Sequence, residues 1–230
     1  MEKIVILTGA GISAESGLGT FRDEGGLWAQ HAIEDVATPE GFARDPDLVH
    51  RFYNARRAQA AEATPNPAHL ALARLAREHP GEVTLITQNV DDLHHRAGSP
   101  QVLQMHGTLM GALCAACDHR WPAPLVMQPA DRCPACAAPA TRPDVVWFGE
   151  IPYGAEVIDP ALNGADLFVS IGTSGQVYPA AVYAQHCRRL GARTVELNLE
   201  PSENARDFDE AHYGPASKIV PEFVETLLAG

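Results

Sequence analysis

Ile4-Val5-Ile6-Leu7-Thr8-Gly9-Ala10-Gly11-Ile12-Ser13-Ala14 lies near the start of a chain of 230 residues and decides its fold class. Its first five residues form a short, continuously apolar, β-branched run, which is how a strand covered on both faces reads. A G-x-G-x-x-A pattern follows, at a strand-to-helix turn. Glycines there let the backbone bend sharply and approach a pyrophosphate resting on helix N-terminal amides. Alone, the pattern also suits a tight structural turn. Strand-like runs recur at 83–87, 102–105, 166–171 and 194–199, with Gly, Asn or Ser close behind each. Between them, 48–63, 67–79, 180–190 and 222–228 have helical spacing, and Pro67 suits a first helical turn. Strands alternating with helices predict an α/β fold with a Rossmann-like, doubly wound parallel sheet.

Two stretches break the alternation. Residues 24–63 hold no strand-like run and read as loop plus helix. Residues 114–143 are proline-rich, short of large aliphatics, and carry four of the five cysteines. Both read as insertions that build a smaller zinc-binding and helical domain. The expected division is a sheet domain from 1–30, 80–110 and 145–230, a helical part at 31–79 and a metal-binding insert at 111–144.

Composition narrows the function. Acidic residues outnumber basic ones 29 to 17, giving a formal charge of -12, which disfavours binding to phosphate backbones. No apolar run approaches the ~18 residues of a spanning helix. Met1-Glu2-Lys3 leads into the first strand without room for a leader, so a soluble cytoplasmic protein without membrane partners is expected.

Cys114-x2-Cys117 and Cys133-x2-Cys136 each place two thiolates on one tight turn, and two such turns make a tetrahedral sulfur site for zinc. Two disulfides or four unrelated thiols are the competing readings. Paired spacing in a proline-rich stretch favours the metal, which alone would order it. Four protein ligands close the coordination sphere, so one structural Zn2+ is expected and catalysis lies elsewhere. Cys187, outside the quartet, reads as a small buried hydrophobe.

A hydride-transferring dinucleotide unit would show an acidic residue about 20 residues after the glycine loop, at the end of a second strand. Here that distance falls in Thr20-Phe21-Arg22-Asp23-Glu24-Gly25-Gly26, which reads as a loop. A dinucleotide remains supported; hydride transfer does not.

The motifs together resemble the sirtuins, NAD-dependent protein lysine deacylases. The matching runs are Gly9-Ala10-Gly11-Ile12-Ser13-Ala14-Glu15-Ser16-Gly17, Thr20-Phe21-Arg22, Thr87-Gln88-Asn89-Val90-Asp91-Asp92-Leu93-His94 and His106-Gly107. The cysteine quartet, Val145-Val146-Trp147-Phe148-Gly149-Glu150, Gly172-Thr173-Ser174 and Asn198-Leu199-Glu200 follow in the family's order. In that family the acyl-lysine oxygen attacks the anomeric carbon of the nicotinamide ribose of NAD+, and nicotinamide leaves. A histidine acts as general base on a ribose hydroxyl, and water then yields free lysine and O-acyl-ADP-ribose. The resemblance implies that His106 is this base, an imidazole able to accept a proton near neutral pH. It also implies that Asn89 and Asp91, with Val90 between them, hold the nicotinamide end of NAD+, although Asn and Asp here also suit a helix N-cap. Gln88 would contact the ribose side, Arg22 a phosphate, and Phe21 would shield the reactive ribose. Gly9, Ala10, Gly11, Glu15 and Trp28 join the same cofactor set. Gly172, Thr173 and Ser174 would form a second cradle, and Asn198, Leu199 and Glu200 the adenosine-ribose end. Val146 and Phe148 would wall the tunnel for acylated lysines of protein substrates, which pair as an added strand.

Tyr53 and Arg56 are three apart on a helical stretch and share a face. A phenol beside a guanidinium makes a carboxylate receptor, but a solvated basic surface is the bland reading, applied here to Arg51 and Arg57. A Tyr-x-x-Arg pair at this place, with the small Ala37, resembles the sirtuin branch that removes succinyl and malonyl groups. The resemblance thus implies desuccinylase and demalonylase activity beside deacetylation. An NAD-dependent protein mono-ADP-ribosyltransferase and a zinc-ribbon module that merely senses NAD are the alternatives.

Overall fold

The computed structural model describes residues 2–19 and 31–230. The opening run is strand β1 (Lys3–Thr8), buried from Ile4 onward. It pairs in parallel with β2 (Glu82–Thr87) on one side and β7 (Leu167–Ile171) on the other. With β3 (Leu103–Gln104), β8 (Arg193–Asn198) and β9 (Glu210–Tyr213) they form a six-stranded sheet of order β3-β2-β1-β7-β8-β9. The order reverses direction between β1 and β7, the switch point where such sheets leave a crevice for a nucleotide.

Alternate residues of β1 face opposite layers. Ile4 and Ile6 pack with Leu72 and Leu75 of α4 (Pro67–Glu78) and with Val220 and Val224 of α8 (Ala216–Ala229). Val5 and Leu7 pack with Ile158 and Leu162 of α6 (Ala155–Asn163) and with Tyr183 and Cys187 of α7 (Tyr183–Arg189). Each buried side chain of this kind contributes roughly 1.5–3 kcal/mol of transfer free energy. The expected doubly wound parallel sheet is therefore present, and Cys187 is fully buried within it.

The stretch at 31–63 folds as three helices, α1 (Ile33–Val36), α2 (Pro39–Arg44) and α3 (Pro46–Glu62). Thr38 and Asp45 cap α2 and α3 by accepting the Gly41 and Leu48 amides, and a proline follows each cap. The proline-rich insert carries strands that its sequence does not announce. β4 (Gly107–Cys114), β5 (Arg120–Pro122) and β6 (Thr141–Val145) make an antiparallel sheet of order β5-β4-β6. Pro143 is tolerated because β6 is an edge strand. Val36, Val49, Phe52, Tyr53, Leu109, Val145 and Trp147 form a core shared by these helices and strands.

Other differences are local. The glycine loop leads into two short 3-10 turns, Ala10–Ile12 and Ala14–Ser16, rather than a full helix. α8 begins earlier than expected and runs through Pro221. Arg57, read from sequence as solvated, is 1% exposed. Its guanidinium donates to the Leu109 and Leu125 carbonyls and to Asn54 Oδ1, which ties α3 to β4 and the loop after β5. Among the described residues no helix is long and apolar enough to cross a membrane.

Candidate functional site

At the switch point the loops after β1 and β7 touch backbone to backbone. Gly9 donates to the Ile171 carbonyl and Gly11 to the Gly172 carbonyl, both at 2.9 Å. Gly172 has φ +62, and a Cβ there would lie 2.5 Å from the Ile12 nitrogen. A Cβ on Gly11 would meet the Gly172 Cα at 2.8 Å. Only glycines permit this approach, and it leaves a concave surface of backbone. Asn198 donates from Nδ2 to the Thr173 carbonyl at 2.8 Å, drawing the end of β8 onto that surface. Ser174 accepts the Glu203 amide through its carbonyl, while Leu199 and Glu200 are exposed on the rim. Ala10 lies between the two glycines at the same loop. The two oxygens of Glu15 accept the Ser217 amide and hydroxyl at 2.8 and 2.7 Å, at the start of α8.

Residues after β2 supply the polar wall. Asn89 Nδ2 donates to Ser13 Oγ at 3.1 Å, and Ser13 Oγ donates to Asp91 Oδ2 at 3.0 Å. Asp91 Oδ1 also accepts the Leu93 amide just before α5 (Leu93–Arg96); the N-cap itself is Asp92, whose side chain makes no capping bond, so neither Asn89 nor Asp91 is the helix cap. Burial raises the Asp91 carboxyl pKa. The Val90 carbonyl accepts the Leu109 amide, which draws this wall toward β4. Sequence reasoning missed the support beneath it. His94 Nε2 lies 2.9 Å from Thr8 Oγ1, and His69 Nε2 lies 3.4 Å from Ser13 Oγ. Burial pushes the His69 pKa down to about 4 and that of His94 to about 3, so both are neutral. His94 lies within a quoted motif; for His69 the only signal is its place in the first turn of α4.

His106 stands between β3 and β4. Its Nδ1 is 3.0 Å from the Gln88 carbonyl oxygen, which can only accept, so Nδ1 carries the proton and Nε2 keeps its lone pair. Burial lowers its pKa below 6.5. Gly107 (φ +79) is required next to it, since a Cβ would fall 2.2 Å from the Asp144 carbonyl oxygen. The His106 carbonyl accepts the Val146 amide at 2.9 Å, which ties β6's exit to the His106 backbone. Phe148, 45% exposed, donates its amide to the Ala37 carbonyl. Tyr53 and Arg56 do share a face of α3: the Arg56 guanidinium lies 5.7 Å from the Tyr53 ring centroid. Phe21, Arg22 and Trp28 lie outside the described residues.

The four cysteine sulfurs lie within 4.8 Å of one another. Cys114 and Cys136 are 3.6 Å apart, and Cys117 and Cys133 3.7 Å. A tetrahedron with Zn–S of about 2.3 Å has edges of about 3.8 Å, whereas a disulfide would need about 2.05 Å. After the second cysteine of each pair, Asp118 and Ala137 adopt left-handed conformations and donate back to the Cys114 and Cys133 carbonyls. Two matching knuckles of this kind fit one zinc ion.

Fold and site define an α/β nucleotide-binding protein with an appended tetrathiolate module. The chain belongs to the Sir2 family, whose profile, described as "Sir2 family", matches residues 9–179. It is 55% identical over 231 residues to an NAD-dependent protein deacylase of Caulobacter vibrioides, covering 99% of this chain and 97% of that one. A protein of the same description from Escherichia coli K12 is 54% identical over 235 residues, covering all of this chain and 84% of that one. A solved Sir2 homolog–NAD complex superposes with a TM-score of 0.89 at 38% identity, over 97% of this chain and 88% of that chain.

Proposed function

We propose that this chain, an NAD-dependent protein deacylase of the Sir2 family, removes succinyl and malonyl groups from lysine as well as acetyl. The observation that carries the reading is His106, its pKa lowered by burial, oriented by the Gln88 carbonyl with Nε2 left as the basic nitrogen, and its backbone bonded to Val146.

The glycine cradle fits NAD+, because its backbone approach is closed to any side chain. Gly9, Ala10, Gly11, Gly172, Thr173 and Ser174 would face the phosphates. Asn198, Leu199 and Glu200 would face the adenosine ribose, and Asn89, Val90 and Asp91 the nicotinamide. Phe21, Arg22 and Trp28 are assigned to the cofactor on sequence alone. When bound, NAD+ supplies an anomeric carbon with a good leaving group. Against that carbon, Asn89 and Asp91 orient the nicotinamide, and Gln88 fixes the tautomer of His106. The Nε2 lone pair of His106 takes the proton of a ribose hydroxyl. Val146 and Phe148 line the approach of the acyl-lysine, whose backbone pairs with theirs. The zinc ligands take no part in the chemistry, since four thiolates leave no open position. Thiols retained for a metal also suit the reducing cytoplasm that we propose as its setting.

For acyl choice, Tyr53 and Arg56 offer a hydroxyl donor and a guanidinium fork to a terminal carboxylate. Ala37, 4% exposed beside Phe148, leaves the longer chain room. Arg56→Met should lower the ratio of succinyl-lysine to acetyl-lysine kcat/KM about ten- to a hundredfold. Equal losses on both substrates would count against acid selectivity. Mass spectrometry of the products tests the wider reading: O-acyl-ADP-ribose supports deacylation, and ADP-ribose retained on protein supports the transferase instead.

A further inference from the structure

Trp147 lies in the motif 145–150, and its side chain does more than fill the core shared by the helices and strands of the smaller domain. It is 3% exposed and held on every side. Its backbone amide donates to Glu150 Oε2 at 2.8 Å. The Arg142 guanidinium lies over its ring, 3.5 Å from the centroid, and closes a two-pronged contact with Glu150 at 2.6 and 2.9 Å. Arg142 also donates to the Val145 carbonyl at 2.8 Å, so it fixes the strand end from which Trp147 projects. Phe42 of α2 covers the indole at 5.2 Å between centroids. The remaining polar edge, Nε1–H, donates to the Tyr53 hydroxyl oxygen at 3.0 Å, and Tyr53 is itself 1% exposed.

An indole N–H is a donor and never an acceptor. The Tyr53 oxygen must therefore accept from it, and the phenol's single proton must point away from Trp147. The rotation that an unrestrained hydroxyl would have is removed before any substrate arrives, which is how preorganised donors gain strength over mobile ones. We infer that Trp147, clamped by Arg142 and Glu150, is a positioning residue for acyl-group selectivity. It aims the Tyr53 hydroxyl proton at the carboxylate of an acidic acyl chain. The inference rests on the proposed selectivity for succinyl and malonyl groups and deepens it. It also gives strand β6 of the thiolate module a part in substrate choice, through Arg142.

Trp147→Phe keeps an aromatic ring, though a smaller one, and removes the N–H. The succinyl-to-acetyl ratio of kcat/KM should fall about tenfold, the worth of one buried hydrogen bond. The loss should appear chiefly in KM for the succinyl peptide. In a Tyr53→Phe background, where no hydroxyl remains to be aimed, Trp147→Phe should shift that ratio by less than about twofold. A merely structural tryptophan would depress both substrates alike in either background, and that result overturns the inference. So does a Trp147→Phe ratio equal to that of the parent enzyme. Arg56→Met, measured alongside, separates the two ideas. If it leaves the ratio unmoved, the acid-selectivity reading itself fails. If it collapses the ratio while Trp147→Phe does not, only the role of Trp147 is lost.

Discussion

The Nδ1–H of His106 points at the carbonyl oxygen of Gln88, 3.0 Å away, and this contact decides which ring nitrogen is basic. The carbonyl sits at the C-terminal end of β2, and the Gln88 amide is tied to the Thr8 carbonyl of β1. The imidazole's orientation is thus referred to the centre of the sheet.

His106→Ala should lower kcat/KM by about 10²–10⁴, the usual worth of a positioned general base. Because burial depresses the His106 pKa, the neutral form persists below pH 6.5. The acid limb of the kcat/KM profile should therefore have its midpoint below 6.5, and a midpoint above that value contradicts the assignment.

His69 and His94 make stability fall with acid. Their folded pKa values are about 4 and about 3, against 6.5 for the free group. As pH drops through 6.5 the unfolded chain takes up protons that the folded chain refuses. Unfolding free energy should then decline toward pH 4 by up to about 1.4 kcal/mol per pH unit for each histidine. Urea titrations at pH 7 and pH 5 would show it as a lower midpoint at pH 5, and His94→Gln should flatten the dependence.

Cys133→Ser removes one corner of the thiolate tetrahedron. Bound zinc, measured by elemental mass spectrometry, should fall from about one per chain toward zero, and the thermal midpoint should fall with it. A zinc-free variant with the parent's thermal midpoint would refute a structural role.

Arg57→Met removes the guanidinium donor from the Leu109 and Leu125 carbonyls and from Asn54 Oδ1, which keeps the Met127 amide. The expected loss is about 2–4 kcal/mol in chemical denaturation. Arg51→Met, on the exposed side of the same helix, should change stability by no more than about 0.5 kcal/mol.

Much of this was readable beforehand because the decisive signals are local. A central strand such as β1 is apolar throughout because both its faces are covered, and the cysteine pairs announce themselves by spacing. What escaped depends on distant partners. Arg57 carries the composition of a surface residue, and only the arrival of the loop at Leu125 makes its burial tolerable. β9, Glu210–Tyr213, is a polar edge strand with no apolar run to mark it. α6 and α8 contain Pro160 and Pro221, which argue against a helix in a local reading. The antiparallel sheet at 107–145 was hidden by prolines, of which Pro122 and Pro143 lie in its two edge strands. Glu15, placed by its motif among the cofactor contacts, is also tied to Ser217, two hundred residues away, a relation that no window of sequence contains.

The thiolate module leaves the parallel sheet at Gly107 and returns at Val145, and these two residues are partners across the β4–β6 ladder. Departure and return therefore occur at one point, with the His106 carbonyl bonded to the Val146 amide just beneath it. A stem closed in this way makes the excursion a detachable loop in the topological sense. It can lengthen, shorten or be exchanged without rethreading a strand of the main sheet and without moving His106 relative to Val146. The part beyond the stem can then vary while the catalytic histidine stays in place, whereas Arg142, close to the stem, remains coupled to Trp147.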